Sequence, residues 1–126
     1  MKFLCLIHLD EAQLGAMPAA DVDALNARHL AFNRDLDASG HFIEAEALDA
    51  GATARTLRVR GGRTSVTDGP FTETNELVAG FYLVEARDMD EALEIASRIP
   101  AAPLGTIEVW PTRQLVVDGI ARPALG

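Results

Sequence analysis

Three side chains have types and settings suited to acid–base chemistry: Asp68, His29 and Glu46. Asp68 opens the turn Asp68-Gly69-Pro70-Phe71, in which Gly can supply positive φ and Pro fixes the chain direction. A carboxylate on so rigid a turn has two readings. It caps the turn by accepting backbone N–H bonds, or it serves as a base or ligand anchor. His29 falls on the apolar stripe of a long helical segment and so faces inward. It is either a half-buried histidine bonded to a neighbour or a general base, because imidazole titrates near neutral pH. Glu44 and Glu46 stand two apart on a strand, with Cα atoms about 7 Å apart. Carboxylates so spaced can share a cation, divide acid and base roles, or simply solvate the strand face.

Other residues suit binding rather than reaction. Arg55 is expected opposite Asp68 in a hairpin, where it would orient the carboxylate and keep it ionised. Phe71 is expected as a core or pocket-wall aromatic. Tyr82 either presents its hydroxyl to a pocket or is an ordinary cross-strand aromatic. No metal site is expected, since His8, His29 and His41 lack close ligand spacing and strand alternation sets His41 opposite Glu44 and Glu46. No cofactor is expected either: there is no phosphate loop, nucleophile elbow or dinucleotide fingerprint. Cys5, the one cysteine, reads as inert packing and excludes an intrachain disulfide.

The elements that must hold these residues follow from periodicity. Lys2 to Leu9 reads as a strand buried on both faces, and Asp10 to Ala16 as a loop. Pro18 suits the first turn of a helix whose stripe is Val22, Leu25, His29, Phe32 and Leu36, with Gly40 as its C-terminal cap. His41 to Leu48 alternates, with Phe42, Glu44, Glu46 and Leu48 on one face. Thr56 to Arg60 and Arg63 to Thr67 flank Gly61-Gly62 and form a tight hairpin. Its register sets Leu57 opposite Val66, Arg55 opposite Asp68, and Arg60 beside Arg63 at a solvated tip. Gly80 to Ala86 is a strand. Asp88 to Glu91 is a capping box opening a helix with Met89, Ala92, Leu93, Ala96 and Ile99 as its apolar face, stopped by Pro100. Thr106 to Trp110 is a last core strand, and Leu115 to Ile120 is an edge strand or a partner contact.

Removing the hairpin leaves βαββαβ, a ferredoxin-like α+β order with two helices on one face of the sheet. The other sheet face would then be bare although its strands are apolar, and a second copy of the chain is the economical cover. The 126 residues fit one domain, 1–126, with 112–126 as a C-terminal extension. No apolar run reaches the roughly 20 residues of a membrane helix. The apolar N-terminus is better explained as a first strand than as a cleaved leader, and a cytoplasmic location is the default. A net charge of −8 argues against nucleic acid and anionic membranes as partners and favours a basic protein partner, if any.

The Asp68-Gly69-Pro70-Phe71 turn, followed by Glu73 and another strand, resembles the small proteins named for their DGPF motif, within the YCII-related group. The similarity runs from the first strand to Glu108-Val109-Trp110-Pro111. It implies a dimeric α+β barrel in which two sheets face each other. It also implies a histidine and an aspartate in the cleft beneath the sheet, positions matched here by His29 and Asp68, and Glu46-Ala47-Leu48 resembles the family's Glu-x-Leu. Two functions follow as expectations. One is a cofactor-free acid–base enzyme acting on a small organic molecule. The other is a non-enzymatic ligand- or protein-binding module associated with transcription regulators of the sigma-factor class.

Overall fold

Asp10 is the first point at which local chemistry redirects the chain. Its carboxylate accepts from the backbone N–H groups of Ala12 and Gln13, at 2.9 and 3.3 Å, and caps a short helix where a loop was expected. In this computed structural model, which describes residues 1–72 and 74–125, β1 (Lys2–Asp10) leads into α1 (Glu11–Gly15) and then α2 (Ala19–Ala38). Gly40 has φ +80° and ends α2, with the His41 N–H donating back to the Leu36 carbonyl at 2.8 Å. There follow β2 (Phe42–Ala47), β3 (Arg55–Arg60), β4 (Arg63–Asp68), β5 (Glu76–Glu85), α3 (Met89–Ser97), β6 (Thr106–Pro111), β7 (Leu115–Val117) and β8 (Ile120–Arg122). Single 3-10 turns at Gly51–Thr53 and Ala102–Leu104 connect some of these.

Four strands form one antiparallel sheet in the order β2-β5-β1-β6. The two central strands set its faces. Phe3, Cys5, Ile7 and Leu9 of β1, with Tyr82 and Val84 of β5, are buried on the side that also carries Leu25, Phe32 and Leu36 of α2 and Ala92, Ile95 and Ala96 of α3. Leu4 and Leu6 on the other side of β1 are only half-buried. Burial of β1 on both faces is therefore not achieved within one chain. The second face carries rows read straight from the register: Trp110–Leu4–Leu83–Glu44, and Glu108–Leu6–Phe81–Glu46. An apolar centre with carboxylates at its margins is thus left open.

Two corrections concern which side chains point inward. A register shift between Phe42 and Glu44 places a bulge at Ile43. Phe42 then pairs with Val84 and packs on the core, so it does not share a face with Glu44 and Glu46, which pair with Leu83 and Phe81. On α3, Ile95 is buried and Leu93 is exposed, the reverse of the expected stripe. Asp88 caps α3 by accepting from the Glu91 N–H at 2.9 Å, and Glu91 reaches back to the Arg87 N–H.

The hairpin β3–β4 has the expected register, with Arg55 opposite Asp68, Leu57 opposite Val66, and Arg60 opposite Arg63. Gly61 and Gly62 hold φ of +55° and +75°, as a two-residue primed turn requires. It is a sheet of its own rather than part of the main one, as is the C-terminal hairpin β7–β8, where an edge strand or a partner contact was expected; β7–β8 is not an edge of the main sheet. β5 begins at Glu76, four residues ahead of the expected start.

Candidate functional site

The inward face of α2 carries a polar ridge beside its apolar stripe. Asn26, His29 and Asn33 follow one another at three- and four-residue steps, next to Leu25, Phe32 and Leu36. The ridge overhangs a cavity of about 730 Å³ between α2, α1 and the sheet. Most of its lining is aliphatic, including Leu9, Leu14, Val22, Leu25 and Ala79, and its floor includes Gly80 and Tyr82. A Cβ on Gly80 would stand 2.8 Å from the Glu46 carbonyl oxygen, so only glycine lets β2 lie this close.

His29 and Tyr82 meet at the polar end. His29 Nδ1 lies 2.9 Å from Tyr82 Oη, and the two rings stack with centroids 6.1 Å apart. Phe32 closes on the other side of Tyr82, edge-on at 5.6 Å. Tyr82 is only 3% exposed, and burial pushes its hydroxyl up to about 12, so it keeps its proton. That proton needs an acceptor, and among the described residues the one within reach is His29 Nδ1. Tyr82 then donates, and His29 carries its own proton on Nε2. Burial, with Arg28 nearby, holds the imidazole below its usual titration range, so it is neutral at pH 7. In this state His29 offers a donor at Nε2. It becomes a base only when Tyr82 turns its proton elsewhere.

Glu46 borders the same cavity from β2, but its pairing with Phe81 points the exposed side chain toward the open sheet face. Glu44 borders neither this cavity nor the second one, and accepts from the Ala45 N–H at 3.0 Å. Asp68 is not brought to His29. Its side chain is 89% exposed at the base of the hairpin, where Arg55 Nε approaches it at 3.2 Å. Among the described residues it accepts no backbone N–H bond; the turn is closed instead by the Gly69 N–H on the Ala54 carbonyl and by Thr56 Oγ1 on the Gly69 carbonyl, each at 2.8 Å. Phe71, expected in the core or a pocket wall, is 72% exposed and lies under the Arg58 guanidinium at 5.2 Å. It joins Pro70, His8, Glu76 and Val78 around a second cavity of about 490 Å³. Glu73, singled out with the turn, lies outside the described residues.

Among the described residues no three His, Cys, Asp or Glu side chains stand where they could hold a metal ion. His8 is bonded across the sheet to Glu108, with Nε2 and Oε1 2.5 Å apart, and His41 Nδ1 donates to the Glu85 carbonyl at 2.8 Å. Burial pushes the Cys5 thiol up to about 11, consistent with inert packing. Asn26 and Asn33 were not singled out from sequence, although their signal was present: they stand three residues before and four after His29.

Residues 1–115 match the model of the YCII-related domain, and the chain belongs to that family. It is also similar to an uncharacterised protein of Rhizobium meliloti (strain 1021), 33% identical over 113 residues that span 88% of this chain and 91% of that relative.

Proposed function

We propose that this protein is a cofactor-free acid–base protein of the DGPF subgroup, which takes a small organic molecule into the cleft between α2 and the sheet. The observation that carries this is the His29–Tyr82 pair, 2.9 Å apart, at the polar end of an otherwise aliphatic cavity. A half-buried histidine bonded to a buried tyrosine beside a cavity of small-molecule size is the arrangement from which general acids and bases are drawn. His29 is the reacting group in this reading and Tyr82 its proton partner. Glu46 at the cavity border is the second carboxylate to test. Asp68 with Arg55 pairs the open end of the β3–β4 hairpin, next to the loop that carries Phe71 to the second cavity.

The same proposal extends to the assembly. The strand order, read without the hairpin, suits a ferredoxin-like split βαβ unit, and the open sheet face supports a homodimer in which two such faces form a barrel. The reduced thiol of Cys5 suits a cytoplasmic protein, and residues 112–126 are an extension to one domain. The protein-binding alternative, in association with transcription regulators, draws support from β7–β8, whose Leu115, Val116, Val117 and Ile120 are all more than half exposed.

A thermal-shift screen of small metabolites against wild type, His29→Gln and Asp68→Asn tests the central reading. The expected result is a compound that raises the melting temperature of wild type and Asp68→Asn but not of His29→Gln. Stabilisation lost in Asp68→Asn and kept in His29→Gln would move the site to the hairpin and sink the cleft as the reacting centre.

A further inference from the structure

We propose that the cleft ligand is a neutral amphiphile: an apolar body lying along the aliphatic lining, and a hydroxyl or N–H head seated between His29 and Asn33. This rests on the cleft being the ligand site and goes further by naming its chemistry. Three observations carry it. First, no lysine or arginine belongs to the described lining, and Arg28 acts on His29 only from outside it, so no cation there would pair directly with a buried carboxylate or phosphate. The one carboxylate at the border, Glu46, would repel an anion further. Second, the body of the cavity is aliphatic on both walls, from Leu14, Val22 and Leu25 above to Ile7, Leu9 and Ala79 below. Third, Asn33 lines the cavity one helical turn from His29, and its amide oxygen is buried with no hydrogen-bond partner among the described residues, so that it accepts from a ligand once the side chain turns into the cleft. An orphaned acceptor in such a place asks for a donor.

The two polar groups are complementary to one kind of head. Asn33 Oδ1 accepts, and His29 Nε2–H donates because Nδ1 is taken by Tyr82. An alcohol, amide or similar group that both donates and accepts satisfies both at once. An ether satisfies only His29. A carboxylate satisfies neither Asn33 nor the charge balance of the cavity.

The test is a titration followed by backbone amide NMR at pH 7.5, using three probes of equal or near-equal length: octan-1-ol, 1-methoxyheptane and octanoate. The expected outcome is that octan-1-ol shifts amides of residues 26–33 and 79–82 and binds at least about tenfold more tightly than octanoate. The ether binds several-fold more weakly than the alcohol, and Asn33→Leu brings the alcohol down to the ether. Octanoate binding as tightly as the alcohol overturns the inference. So does a cleft that no probe perturbs, or an alcohol and ether that bind alike in wild type. The parent reading fails separately. If the thermal-shift screen yields an anion whose binding needs His29, the cleft site stands and only the neutral class falls.

Discussion

At the scale of residues, the decisive group is a hydroxyl. Tyr82 is buried and keeps its proton, so its bond to His29 Nδ1 stabilises the neutral imidazole. Tyr82→Phe removes that bond, and the His29 pKa should then rise, as followed through the imidazole proton resonances. A fall instead would mean that Nδ1–H donates to the tyrosine and that the tautomer argued above is wrong. The change should also cost about 1 kcal/mol in denaturant unfolding. The sign of the pH dependence follows from the direction of the shift. His29 has its folded pKa below the ordinary 6.5, so the unfolded chain binds a proton that the folded one refuses. Stability from the neutral imidazole is therefore fully present above pH 6.5 and is lost as pH falls toward the folded value. Wild type minus His29→Gln, measured between pH 7.5 and 5, should show this slope, and parallel profiles would remove it. Asp68 is of another kind. With its side chain almost wholly in solvent, its pair with Arg55 is of the class usually worth less than about 1 kcal/mol. Asp68→Asn should leave the melting transition nearly unchanged.

At the scale of elements, local rules decided most of what was legible. The primed turn at Gly61-Gly62 fixed a hairpin register that paired Arg55 with Asp68 from sequence alone. Periodicity gave α2, its stripe and the inward position of His29. Two features escaped for physical reasons. A bulge at Ile43 costs one unpaired residue and leaves no mark in an alternating pattern, so Phe42 was assigned to the wrong face. On α3, helical spacing alone left the choice between Leu93 and Ile95 to tertiary packing, which buries Ile95. The site was half legible. His29 and Tyr82 were both named but never paired, because residues 53 apart in sequence meet only through the sheet. Gly105 shows how tightly such packing can bind a sequence. A Cβ there would lie 2.0 Å from the His8 carbonyl oxygen and 2.7 Å from a Leu9 methyl. Gly105→Ala must displace β1 or the start of β6, and a loss of about 3 kcal/mol in chemical denaturation is expected. A variant as stable as wild type would mean that the connection into β6 is slack.

At the scale of the whole molecule, the unresolved balance is between the two sheet faces. One is sealed by α2 and α3 around Phe3, Leu36, Val84 and Ile95. The other presents Leu4, Leu6, Phe81 and Leu83 in adjacent rows, with Trp110 55% exposed at the margin. A contiguous apolar surface of this kind is uncommon on a lone soluble chain. Its acidic margins, Glu44, Glu46 and Glu108, are features of an interface rim, where charge is solvated, rather than of a core. The homodimer proposed through this face makes a mutational claim that spares the fold. Leu6 is half-buried within one chain and borders neither cavity, so Leu6→Asp should preserve the far-ultraviolet dichroism and the His29 resonances. In the dimer it would set two new carboxylates against apolar surface, and burying them unpaired is costly. Sedimentation equilibrium at micromolar concentration should therefore give twice the 13.5 kDa chain mass for wild type and a monomer for Leu6→Asp. A wild-type monomer would leave the open face without its second copy. A Leu6→Asp protein that remains dimeric would move the interface away from the sheet, toward the exposed hairpins.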